Sequence, residues 1–229
     1  GVGIPGTGMI GLPIAIALGA LIGKSEYQLE VLKDSNPAAV EEGKRFIGEK
    51  RIDISLKKNI TEKLYIEVCC KSGGNKATAI IAGGHTTFIY IARNGDVLLN
   101  KQSAGCGEEE AQVAGLTLRK VYDFAMNAPL DEIRFILETA RLNKAAAERS
   151  FDGNYGHGLG RMLRGNYEHK ILGDSVFSHI LSYTSGACDA RMAGAMIPVM
   201  SNSGSGNQGI SATLPVLVYA EENGKSEEE

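Results

Sequence analysis

Between Ser201 and Gly209 the chain reads SNSGSGNQG, nine residues without one apolar side chain, and then enters the apolar run ISATLPVLVYA. A tether would have no reason to lead into a core helix, whereas a nest of N–H donors at the start of a buried helix forms a cradle for an anion. Ser201, Asn202, Ser203, Gly204, Ser205, Asn207 and Gln208 supply hydroxyls, amides and an unhindered backbone there. Just upstream, Asp189 and Arg191 stand among small and apolar residues, where a charge is costly unless it is paired or meets a ligand. The planar fork of Arg191 can hold a carboxylate. The alternative is an Asp189–Arg191 pair that caps a helix end.

Two further glycine-rich segments could carry chemistry. Pro5-Gly6-Thr7-Gly8 precedes an apolar helix and can present backbone N–H groups to an anion. It is not a nucleotide motif: no Gly-Lys-Ser/Thr follows, and no G-x-G-x-x-G stands after a predicted strand. A carboxylate needs only a few N–H groups and a hydroxyl such as that of Thr7, so the Thr7-Gly8 turn suits an amino acid better than a nucleotide. A plain tight turn is the competing reading. In GGHTT, Gly83–Thr87, the backbone can come close to a ligand, and His85 titrates near neutral pH, which makes it the candidate general base. A structural histidine fits there as well. His157 lies among glycines in NYGHGLG, while His169 and His179 read as helix-surface residues without a role.

At 229 residues, 43% hydrophobic and 22% charged, the chain can bury a substantial core. A net charge of −3 and the lack of a Lys/Arg cluster on a predicted helix face give no general attraction to nucleic acid or to an anionic membrane. The segment Met9–Gly23 is apolar all round yet too short to span a bilayer, so it is expected to be a buried helix. Cys69, Cys70, Cys106 and Cys188 have neither metal-ligand spacing nor the density of a disulfide scaffold, which points to the cytoplasm and to no metal site made by these residues. The internal-looking start GVGIPGTG and the acidic finish EENGKSEEE read as parts of a longer protein.

The elements that must position these groups follow from periodicity. Leu29, Leu32, Val40 and Phe46 are spaced among charges as in an amphipathic surface helix broken near Pro37. From Ile52 the period drops to two. RIDISLKK, KLYIEVCCKS, KATAIIAGGHTTFIYIARNG and DVLLNKQSA predict about four antiparallel strands between residues 51 and 104, with hairpin turns at SGGN and RNGD. Helices return beyond Gly107, in EEEAQVAGLTLRKVYDFAMNAP, LDEIRFILETARLNKAAAERSF, DSVFSHILSYTSGACDARMAG and GISATLPVLVYAEEN. The class expected is α+β, a small antiparallel sheet layer with helices joined to a mainly helical domain. Residues 1–50 are read as helices packing on the helical domain, 51–105 as the sheet domain and 106–229 as the helical domain.

The stretches GVGIPGTGMIGLPIAIALGAL, LEVLKD, GGHT, IRFILETARLN and DARMAGAMIPVMSNSGSGNQGISATLPV, in this order, closely resemble the bacterial proteins related to the serine dehydratase alpha subunit, including the L-cysteine desulfidases. The match covers most of the chain. The resemblance implies an oxygen-sensitive lyase with a 4Fe-4S cluster, held by three cysteines and acting as Lewis acid through its remaining iron. It would remove the amino group and the side-chain leaving group of a small amino acid; L-cysteine gives pyruvate, sulfide and ammonia, and L-serine is the related substrate. The cluster cysteines of the family lie upstream of PGTG and downstream of the end of this chain, so the ligand role is not transferred to Cys69, Cys70, Cys106 or Cys188. What carries over is the cradle, Pro5–Gly8 with Ser201–Gln208, and beside it His85, Asp189 and Arg191.

Two competing readings belong to other classes. A non-catalytic amino-acid-binding or regulatory module would use the small α+β layer as a sensing domain. A pyridoxal phosphate enzyme would need a Schiff-base lysine by the cradle, and the nearest on its N-terminal side is Lys170, which no motif supports. The apolar helix 9–22 makes self-association as a homo-oligomer plausible.

Overall fold

A computed structural model describes residues 2–101, 115–164, 172–202 and 204–229; Cys106, His169, Lys170 and Ser203 lie outside the described residues. The fold is α+β. Two compact units make up the chain, one of Gly1–Asp53 with Pro129–Glu229 and one of Ile54–Ala128.

The first unit opens with a short hairpin, β1 (Gly3–Ile4) and β2 (Met9–Ile10), followed by α1 (Leu12–Ile22), a 3-10 segment at Ser25–Glu30, and α2 (Pro37–Gly48). Asn36 accepts from the Ala39 N–H at 3.0 Å and Pro37 takes the first helical turn, so the break anticipated near Pro37 is the capped start of α2. Helix α1 meets α2 through Ile14, Leu18 and Ala39, with Gly43 leaving room for Ile14. Only that side is buried. Leu12, Ile16, Gly19 and Ala20 face solvent, so the helix expected to be buried is covered on one side.

The second unit is a four-stranded antiparallel sheet in sequence order, β3 (Tyr65–Ser72), β4 (Asn75–Ala82), β5 (Phe88–Arg93) and β6 (Asp96–Asn100), followed by α3 (Leu118–Asn127) with Thr117 as its cap. Ile80, Ala82 and Ile89 form its core with Tyr65 and Tyr90. The strands are shared out differently from the expectation. RIDISLKK is not a strand, because residues 53–59 are exposed throughout and offer no face to bury; Lys57 instead reaches Glu67 at 2.7 Å. KATAIIAGGHTTFIYIARNG makes two strands, since Gly83 at φ 77° and the Thr87 N–H bond to the Gly84 carbonyl turn the chain at GGHTT.

The first unit resumes with α4 (Leu130–Ile133), a 3-10 turn at Arg134–Leu137, α5 (Glu138–Phe151), α6 (Leu159–Arg164), α7 (Val176–Met192) and α8 (Gly206–Glu222). Ala146, Ala147, Ala187, Ile210 and Leu214 are the fully buried centre where α5, α7 and α8 meet. Small residues bring the backbones close. A Cβ on Gly160 would strike the backbone of Gly186, and the Ser182 hydroxyl donates to the Gly160 carbonyl at 2.8 Å. No helix among the described residues is long and apolar enough to cross a membrane.

Candidate functional site

The cradle is assembled by three elements of the first unit. Upstream of it, Asn143 of α5 is fully buried; its Oδ1 accepts the Met200 N–H at 2.8 Å, and its Nδ2 donates to the Met200 carbonyl at 3.3 Å and to Thr213 Oγ1 at 3.1 Å. One side chain thus pins the extended segment before Ser201 to both α5 and α8. Asn202 and Ser205 then exchange backbone hydrogen bonds at 3.1 and 2.9 Å around a turn in which Gly204 adopts φ 73°. Ser205 caps α8, its hydroxyl accepting the Gln208 N–H at 3.3 Å. Ser201, Asn202 and Gln208 are exposed at this end of the helix.

Arg191, on the last turn of α7, lies across the start of α8. Its Nη1 donates to Asn207 Oδ1 at 3.0 Å and approaches the Met192 sulfur at 3.4 Å. A Cβ on Gly206 would collide with the guanidinium, so the glycine is what admits it. Among the described residues no carboxylate pairs with Arg191. A cation beside a helix N-terminus repeats the positive end of the peptide dipoles, and an anion between them relieves both. The Asp189–Arg191 pair considered as an alternative does not form. Asp189, buried, instead accepts the His157 N–H at 3.0 Å and the Gly160 N–H at 3.4 Å, anchoring the start of α6. Gly156, at φ 52°, leaves the space for that carboxylate.

Thr7 is buried, and its hydroxyl is used inside its own turn, donating to the Ile4 carbonyl at 2.7 Å and accepting the Met9 N–H at 2.9 Å. Gly8 is exposed at φ 64°. The hairpin is docked on the end of α7: the Gly6 N–H donates to the Gly194 carbonyl at 3.2 Å, and a Cβ on Gly3 would lie 2.5 Å from the Ala193 carbonyl carbon. PGTG and the Arg191 turn are thereby joined through backbone. Beside them a cleft of about 410 Å³ is lined by Pro5, Leu29, Leu32, Met196, Ile197 and Pro198. His85 is exposed in the β4–β5 turn of the other unit.

Sequence reasoning missed Asn143, although an amide among the alanines of a helix face that also carries Ala146, Ala147 and Ser150 is a legible signal. It also passed over His179. Nδ1 of that ring meets Glu222 Oε1 at 2.6 Å and Nε2 meets Asp174 Oδ1 at 2.8 Å, and the two carboxylates, Glu222 first, raise its pKa. The ring lines a cleft of about 340 Å³ with Arg164, Tyr183 and Glu221.

The thiols test the expected cluster. Cys69 and Cys70 are successive residues of β3 and point to opposite faces of the sheet, in a different unit from Cys188. Burial pushes the Cys188 thiol up, against the thiolate a metal requires. Among the described residues no three His, Cys, Asp or Glu side chains are grouped to hold a metal ion, and these thiols do not fit an iron-sulfur cluster.

The model of the serine dehydratase alpha chain family matches residues 26–229, which include α8, the Arg191 turn and Asn143. The chain belongs to that family. This serine dehydratase alpha-type chain is 80% identical over its whole length to a UPF0597 protein of Bacteroides fragilis, of which it covers 54%. It is 77% identical, again over its whole length, to a UPF0597 protein of Bacteroides thetaiotaomicron, covering 53%, and 43% identical over 96% of its length to one of Vibrio parahaemolyticus, covering 52%. The chain spans about half the length of the curated relatives it matches. No solved structure matches it.

Proposed function

We propose that this serine dehydratase alpha-type chain holds the carboxylate of a small amino acid for a lyase that acts on L-cysteine or L-serine. The observation that carries the reading is Arg191, bonded to a neutral amide and laid over the N-terminus of α8 with no carboxylate of the described residues to neutralise it. Ser201, Asn202, Ser203, Ser205 and Gln208 would add hydroxyl, amide and backbone donors around the same anion. Family membership supports an amino acid as the ligand.

The elimination needs a base to take the α-proton while the thiolate or hydroxide departs with its bonding electrons; water then releases ammonia from the resulting enamine, leaving pyruvate. His85 is our candidate base. The 4Fe-4S cluster implied by the family would supply Lewis-acid chemistry, its ligands lying in the part of the longer protein that this chain does not span. The compartment we propose is the cytoplasm. A second reading, an amino-acid-binding module without chemistry, is favoured by Arg191 and the start of α8, which could hold a carboxylate with no base taking part.

The test is anaerobic reconstitution of the full-length protein with iron and sulfide, followed by sulfide release from L-cysteine and pyruvate formation from L-serine. Product from either substrate, with KM raised in Arg191→Gln, is the expected result. Tight binding of both amino acids without product would put the binding module in its place.

A further inference from the structure

We propose that the outward face of α1 is an interface, covered by the portion of the longer polypeptide that the relatives carry beyond this chain. The starting observation sets composition against position. From Val2 to Gly23 there is no charged residue. Helix α1 buries Ile14, Ala17 and Leu18 against α2, yet on the opposite side Leu12 is 61% and Ile16 36% exposed, and Gly19 and Ala20 are open to solvent. Positions 12, 16, 19 and 20 follow helical spacing, so they form one stripe. A Cβ on Gly19 would meet nothing within 4 Å, which leaves a notch in that stripe where a neighbouring backbone can approach. A helix with no polar face is stable only when both sides are covered.

What covers it follows from what the stripe lacks. A helix lying in a membrane surface needs a charged face turned to water, and one crossing the bilayer needs about 20 apolar residues. Helix α1 has 11 residues and no charge, so lipid does not fit. A second copy offers suitable chemistry but competes poorly. In the Bacteroides fragilis relative the matched region is 54% of the polypeptide, so nearly as much chain again is attached to it. A covalently attached partner acts at millimolar effective concentration and takes the face ahead of a separate molecule present at micromolar concentration. The inference is independent of the reaction proposed above.

The experiment uses the full-length protein. Ala20→Cys is labelled with a maleimide and compared with Lys44→Cys on the exposed side of α2, each site read by peptide mass spectrometry so that the natural cysteines do not interfere. A photo-crosslinking benzophenone residue at position 16 then identifies the neighbour. The expected result is labelling at position 20 at least about 100-fold slower than at position 44, with cross-links to peptides outside the matched region in a species of single-chain mass. Labelling as fast as at position 44 would overturn the proposal, as would cross-links to this region of a second copy in a species of dimer mass. An unchanged melting temperature of Ala20→Cys shows that the fold is intact.

Discussion

Arg191 and Asn143 do different work on either side of the cradle. Arg191 adds positive charge where the peptide dipoles of α8 already converge, a placement that gains free energy only when an anion arrives. Arg191→Gln should therefore weaken binding of L-cysteine or L-serine by about 10- to 100-fold, the loss expected of a charged hydrogen-bonded contact, with Arg191→Lys recovering part of it. Titration calorimetry on the full-length protein reads this directly. Asn143 holds the segment that leads into the cradle. Asn143→Leu leaves the Met200 N–H and carbonyl without their partner and should cost about 2–4 kcal/mol in urea unfolding, with little change in any group that touches the ligand. Arg191 was legible in the sequence because a charge among alanines and glycines stands out. The roles of Thr7 and Asp189 were less so: each carries its polar atoms to neighbouring backbone, and one-dimensional spacing does not reveal which side chains spend their hydrogen bonds at home.

At the level of elements, the helices of the first unit depend on missing side chains. Gly160→Ala would push α6 off the backbone of α7, and a cost of about 1–3 kcal/mol is expected from overpacking. Gly48→Ala, at the end of α2 with nothing within 4 Å of its Cβ, should be neutral or stabilising by up to about 1 kcal/mol. Thermal unfolding of the pair separates packing from propensity. His179 ties the start of α7 to the end of α8, and its pKa is raised from an ordinary 6.5 by Glu222 and Asp174. Its contribution is fully present below pH 6.5 and is lost as pH rises through the raised folded value. Partial exposure of the ring keeps the effect small. His179→Gln should flatten the pH dependence of stability across that window, as measured by urea midpoints from pH 6 to 9. The elements themselves were legible where periodicity ran long, as in α5, α7 and α8. The β-rich run failed where period and partner disagreed: residues 51–58 alternate without a face to bury, while GGHTT, open to reading as a strand edge or a turn, is the turn that divides one β-rich run into two strands.

For the whole molecule, the sequence conveyed the α+β class, whereas the half-covered state of α1 could not be read from it. Composition states that a helix wants burial on all sides; it does not state which polypeptide supplies the cover. The same limit applies to the proposed function, since the carboxylate site is local while the curated relatives are about twice the length of this chain.

Strand β1 rests on Ala193 and Gly194, about 190 residues later in the chain. A ribosome adding roughly 5–20 residues per second delivers that support on the order of 10–40 s after the hairpin has emerged. Through that interval the hairpin lacks the backbone it docks on, whereas α1 already has α2 to meet, so the two parts of the opening segment settle at different times during synthesis.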